Sequence, residues 1–98
     1  MVIREPGYVN RQIIRKDAGS GTAEAFVFTR LSDTILVDNL DTTDGAYVAF
    51  DATAGIGSTN LYIPPNQARA FDLRAGSVSI LGSGGTTPEF QVISLDSS

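Results

Sequence analysis

The sequence predicts an all-β domain: a single β-sandwich of jelly-roll or Greek-key type with about eight short strands. Three observations point there. Short apolar runs of period two alternate with turn signals at the spacing expected of sandwiches and barrels. No window sustains a helical period. Ten glycines, with many Ser, Thr, Asp and Asn residues, leave little room for long helices. An immunoglobulin-like sandwich is the competing architecture, although its hallmark Cys and Trp residues are absent. At 98 residues the chain has the length of one domain, and such a domain buries roughly 60–65% of its unfolded surface.

The first ten residues, MVIREPGYVN, break at Pro6-Gly7. Val2, Ile3, Tyr8 and Val9 are apolar and need cover, so residues 1–10 read as a first strand, a frayed tail or an arm on a neighbouring subunit. Residues 11–98 form the sandwich domain. Arg11–Lys16, with Ile13 and Ile14 between charges, suits a strand and is followed by the flexible run 17–21. Glu24–Thr29 carries Phe26 and Phe28 at period two. Thr34–Asn39 places Ile35 and Val37 on one side and Leu36 on the other.

Ala46–Asp51 repeats the alternation with Val48 and Phe50. Asp44-Gly45 just before it is a favourable turn pair, so the two runs are expected to form a hairpin. A Gly-rich segment, 52–60, leads to a short strand at Leu61–Ile63. Pro64 and Pro65 end that strand because neither can donate to a ladder, and Pro65-Asn66 suits the centre of a turn. Ala68–Arg74 follows, with Phe71 and Leu73 inward and Ala70, Asp72 and Arg74 outward. Gly76 separates it from Ser77–Gly82, where Val78 and Ile80 alternate with serines. After the loop 82–88, Glu89–Leu95 offers Phe90 and Val92 on one face or Ile93 and Leu95 on the other, a conflict that a bulge could reconcile.

The chemistry available to this chain is narrow. It has no cysteine and no histidine, which removes thiolate metal sites, the commonest general base and the usual partner of a nucleophilic serine. Asp38, Asp41, Asp44 and Asp51 gather around the expected hairpin. Their spacing does not match an EF-hand, so they read as turn formers. Every Asp and Glu fits a loop or an outward strand position, which leaves no acid in an apolar pocket for glycosidase chemistry. Gly55-Ile56-Gly57 and the run 82–85 precede no helix and contain no Gly-Lys-Ser/Thr motif, so they read as loops rather than phosphate cradles. The expectation is a protein that is not an enzyme and uses no cofactor, metal or small-molecule substrate.

The net charge is −4 and the seven cations are scattered, so the basic footprint that nucleic acid requires is missing. No stretch approaches the ~20 apolar residues of a membrane-spanning helix. Nucleic acid and membrane are therefore not expected partners. Six of the seven cations are arginines, the cation enriched at protein interfaces because its planar fork pairs with carboxylates in two places at once. Arg11 and Arg15 flank one expected strand, and Arg69 and Arg74 flank another.

The runs ILVDNLDTTDGAYVAFDATA, LYIPPNQARAFDLRAGSVSILGSGG and EFQVISL, within Thr34–Leu95, resemble small structural proteins of tailed-bacteriophage virions, most of all head decoration (cement) proteins. Ile63-Pro64-Pro65-Asn66-Gln67 and Ser77–Gly85 carry the likeness most clearly. The resemblance implies a subunit on the exterior of the phage head, made in the host cytoplasm, that binds the major capsid protein and copies of itself as a homotrimer. The partner-binding residues expected on this view are Val2, Ile3, Arg4, Tyr8, Val9, Arg11, Arg69 and Arg74. Two alternatives stand beside it. One is a neck or tail accessory subunit. The other is a carbohydrate- or host-surface-binding module using Tyr8, Tyr47 and Tyr62.

Overall fold

Eight strands and one short 3-10 turn make up the described residues, 10–52 and 61–96, of the computed structural model. They are β1 (Asn10–Asp17), β2 (Glu24–Ser32), β3 (Thr34–Asn39), β4 (Ala46–Phe50), β5 (Leu61–Ile63), β6 (Ala68–Phe71), β7 (Ala75–Gly82) and β8 (Glu89–Asp96). The first sheet has the order β1-β8-β3-β6 and the second β2-β7-β4-β5, and among the described residues every pairing of these strands is antiparallel. Two four-stranded sheets interleaved in this order are a jelly roll.

Between the sheets lies one apolar core. The first sheet contributes Ile35, Val37, Phe90 and Val92, and the second Phe26, Phe28, Val48, Ile63, Val78 and Ile80. Each such side chain, taken fully out of water, contributes on the order of 1.5–3 kcal/mol. The alternation of Ile35 and Val37 against Leu36, and of Phe26 and Phe28 against Val27, falls inward as the sequence predicts.

The expected hairpin of β3 with β4 does not form. β3 pairs with β6 and β8, while β4 pairs with β5 and β7 in the other sheet. The polar run 40–45 is a crossing between sheets, and Asn39 decides its path. Buried at 1% exposure, its Nδ2 donates to the carbonyls of Asp44 (2.9 Å), Pro64 (3.2 Å) and Ile63 (3.4 Å). Its Oδ1 accepts the N–H of Asp41 at 3.0 Å. The Asp44-Gly45 pair therefore ends a crossing rather than closing a ladder. Among the described strands, β4 and β5 are the one sequence-adjacent pair that hydrogen-bonds.

Other boundaries also move. The sixth strand stops at Phe71 rather than Arg74, and Phe71 is half-buried, packed edge-on against Phe50 with centroids 4.9 Å apart. Gly76 lies inside β7 instead of separating strands. There Asp51, just past β4 and at φ 52°, accepts the backbone N–H groups of Gly76 (3.0 Å) and Ser77 (3.1 Å). No bulge occurs in β8, whose pairing with β1 and β3 runs unbroken and turns Phe90, Val92, Ser94 and Asp96 inward. The irregularity falls instead in β2, between Val27 and Ser32. Asn66, at φ 60°, sits in the turn predicted at Pro65-Asn66 and donates its N–H to the Asp41 carbonyl at 2.8 Å.

Because β8 alternates without interruption, Asp96 faces inward, contrary to the expectation that every acid lies in a loop or on an outer face. Its side chain is 9% exposed and pairs with Arg30 at 3.3 Å. Among the described residues, no helix is long and apolar enough to cross a membrane.

Candidate functional site

The register of the first sheet assembles a surface that no single strand displays. Ile13 of β1 lies opposite Ile93 of β8, Ile93 opposite Leu36 of β3, and Leu36 opposite Ala70 of β6. Residues directly opposite one another share a face, so these four form an apolar row across the outer side of the whole sheet. Ile13 is 55% exposed, Ala70 is exposed, and Leu36 and Ile93 are half-buried. Polar rows border it. On one side run Arg15, Gln91, Asp38 and Ala68; on the other run Arg11, Leu95 and Thr34. Thr34 donates its hydroxyl to Asp72 at 3.0 Å, which brings that carboxylate into the second border.

Two cations of β1 are engaged within the chain. Arg15 bonds Glu89 at 3.1 Å, and that hydrogen bond, followed by the Glu89 charge, holds its pKa above the ordinary arginine value. At the far end of β1, the Lys16 ammonium bonds Glu24 (2.8 Å) and the Ala25 carbonyl (2.7 Å) and sits 5.0 Å from the centre of the Phe26 ring. This clips the edge of the first sheet onto the second.

The arginines singled out as partner-binding residues are not gathered into one site. Arg11 lies on β1 and Arg69 on β6, the two opposite edges of the first sheet, three strand spacings or ~14 Å apart. Arg69 bonds Gln67 at 3.1 Å, and Arg74, beyond the end of β6, pairs with Asp33 at 3.3 Å. Of the three, Arg11 alone is in register with the borders of the apolar face, opposite Leu95. Val2, Ile3, Arg4, Tyr8 and Val9 lie outside the described residues.

A polar cleft of about 160 Å³ opens where β1, β2 and β8 meet, lined by Arg11, Gln12, Thr29, Arg30, Ser94 and Asp96. Gln12 Oε1 accepts both the N–H (2.9 Å) and the hydroxyl (3.2 Å) of Thr29, and Arg30 holds Asp96. These groups tie β2 to β1 and to β8. The aspartates near the sheet crossing also have structural work. Asp41 accepts the N–H of Thr43 at 3.2 Å, and Asp51 holds β7. Among the described residues, no three His, Cys, Asp or Glu side chains come close enough together to share a metal ion.

Tyr47 and Tyr62 stand opposite one another on the outer side of the second sheet. Their ring centroids are 5.3 Å apart and the planes are inclined by 56°, so they do not make a coplanar platform of the kind that stacks on a pyranose ring.

The chain was compared with known proteins. No protein-family model and no curated protein sequence matches it. In three dimensions it is similar to a cupin superfamily protein from Desulfitobacterium hafniense, over 98% of this chain and 74% of that one, at 14% identity and a TM-score of 0.46. It is also similar to the coat protein of Tobacco streak virus, over 99% of this chain and 92% of that one, at 9% identity and a TM-score of 0.39. Neither likeness is close enough to carry an argument about function.

Proposed function

We propose that this protein is a non-enzymatic structural subunit of a tailed-phage particle, decorating the head exterior by binding the major capsid protein and copies of itself. The observation that carries the reading is the outer face of the first sheet. A flat apolar row four strands wide, bordered by polar and charged residues, has the anatomy of a protein contact: an apolar centre and a wet rim. The chain's lack of histidine and cysteine and the structural engagement of Asp41, Asp51 and Asp96 favour a scaffold over a catalyst. The sequence resemblance between Thr34 and Leu95 supplies the phage context, and with it the outer surface of the head as location. A subunit present in many copies needs only modest contacts, because neighbouring sites reinforce one another.

The test is quantitative mass spectrometry of purified particles of the phage that encodes this chain. Copy numbers comparable to the major capsid protein are expected. A handful of copies would place the subunit in the neck or tail, and its absence from the particle would overturn the virion reading.

A further inference from the structure

We infer that the outer face of the first sheet receives a second copy of this chain, packed face to face about a twofold axis that runs close to the strand direction. The inference rests on reading this face as a protein contact and names the partner.

The argument is one of self-complementarity. A twofold axis in the plane of contact and parallel to the strands lays β1 on the partner's β6 and β8 on the partner's β3, keeping each row at its own height. Ile93 then meets the partner's Leu36, and Ile13 meets the partner's Ala70. In the next row Arg11 meets the partner's Asp72, and the symmetry makes that ion pair twice. Arg11 at one edge and Asp72 at the other thus pair at both ends of one border of the apolar seam.

A twofold axis perpendicular to the strands gives a different result. It would lay β1 on the partner's β1, bring Arg11 over the partner's Arg15–Glu89 pair, and set Asp72 over the partner's Ala68, so the Arg11–Asp72 pair is not made. The Arg11–Asp72 pair therefore distinguishes the two arrangements, since the axis along the strands alone makes it. Inclining the favoured axis by about 15° to the strands produces the −30° crossing that twisted sheets adopt when they pack.

The size of the face sets the strength. Strands of eight, eight, six and four residues, at ~4.8 Å between strands and ~3.3 Å per residue, give about 400 Å² per copy, or about 800 Å² in all, below the ~1,000 Å² of a stable interface. The pair is therefore weak and concentration-dependent, suited to forming where many copies are held side by side. This substitutes twofold pairing for the trimer that the phage resemblance implies, and it leaves Arg69 and Arg74, away from the seam, for the capsid.

Sedimentation equilibrium of the full chain, from low to high micromolar concentration, tests the inference. A reversible monomer–dimer equilibrium is expected. Arg11→Asp and Asp72→Arg should each weaken it about tenfold, and the double exchange should restore it. Ile13→Glu should abolish it while leaving the cooperative thermal transition in place, which separates lost pairing from lost folding. A chain that stays monomeric throughout, or assembles as a trimer, overturns the inference. So does an Arg11→Asp variant that pairs as tightly as the unaltered chain or more so, since the perpendicular axis does not make the Arg11–Asp72 pair. The particle census is read independently. A monomeric chain abundant in virions would remove the pairing and keep the decoration reading, and a dimer missing from virions would do the reverse.

Discussion

On the outer side of the first sheet, Ile13, Ile93, Leu36 and Ala70 run from edge to edge, exposed at the two ends and half-buried between. On the outer side of the second sheet, the bulky apolar residue of β7, Leu81, is only 6% exposed. The chain itself covers it. The segment joining β1 to β2 runs alongside, with Gly19 bridging Leu81 in parallel and bonding the backbone of Ile80 and Gly82 at 3.1 and 2.8 Å. Tyr47 lies opposite Leu81 and leans on Tyr62. Further along, the second sheet presents Ala25, Ser79 and Ala49 in one row. Val27 and Leu31 do project from its edge strand, at 63% and 51% exposure. Their neighbours across the ladder are Ser77 and Gly76, so that apolar surface stops at one strand. Both sheets carry the same inward alternation. They differ in what lies outside: Leu81 on the second sheet is buried, while the row on the first sheet ends in the exposed Ile13 and Ala70.

Five substitutions probe this contrast, in descending order of expected effect. Phe90, fully buried on β8, belongs to the core common to both sheets, and Phe90→Ala should lower unfolding free energy by ~3–5 kcal/mol in urea titration. A loss below ~1 kcal/mol would mean that the two sheets do not share one core. Asn39→Ala removes the donor that three carbonyls at the sheet crossing share. About 3 kcal/mol should be lost, from leaving buried acceptors unpaired; a near-neutral result would show that water replaces the amide there.

Gly45→Ala acts on the second sheet alone. A β-carbon at Gly45 would collide with the Tyr62 ring and with the Ile63 carbonyl. We expect a cost of ~1–3 kcal/mol for the crowding, together with a changed tyrosine signal in near-ultraviolet circular dichroism as Tyr62 leaves Tyr47. An unchanged signal would contradict the tyrosine cover on Leu81. The smallest stability effect separates the faces most directly. Ile13→Glu and Val27→Glu, both at exposed strand positions, should each change stability by no more than ~0.5 kcal/mol. Ile13→Glu alone should lower self-association, and equal loss from Val27→Glu would assign the contact to the second sheet.

Much of the molecule is legible in its residues. Phe26 and Phe28, Ile35 and Val37, and Val78 and Ile80 announce their inward faces by period two alone, and Pro65-Asn66 announces its turn. The seam residues were visible one at a time: Leu36 reads as outward from Ile35 and Val37, and Ile93 and Leu95 compete with Phe90 and Val92 for the inner face. Their convergence was not visible. Ile13, Leu36, Ala70 and Ile93 span nearly the whole chain, and only the pairing of β1, β8, β3 and β6 sets them in line. The placement of the arginines was hidden for the same reason, since Arg11 and Arg69 look alike as strand-flanking cations yet occupy opposite edges of one sheet.

The amino-acid sequence by itself determined that the chain forms short strands with one apolar face each, and it limited the chemistry by omitting histidine and cysteine. These are local properties: side-chain alternation repeats every two residues, and side-chain chemistry belongs to each residue alone. Which strands become neighbours, and in which register, only the tertiary structure decided. A turn pair such as Asp44-Gly45 is equally compatible with a hairpin and with a crossing between sheets. The choice falls to contacts distant in sequence, here the Asn39 amide reaching Ile63 and Pro64 and the ladder of β3 with β8. The outer face of the first sheet exists through those distant contacts, which place its apolar residues side by side.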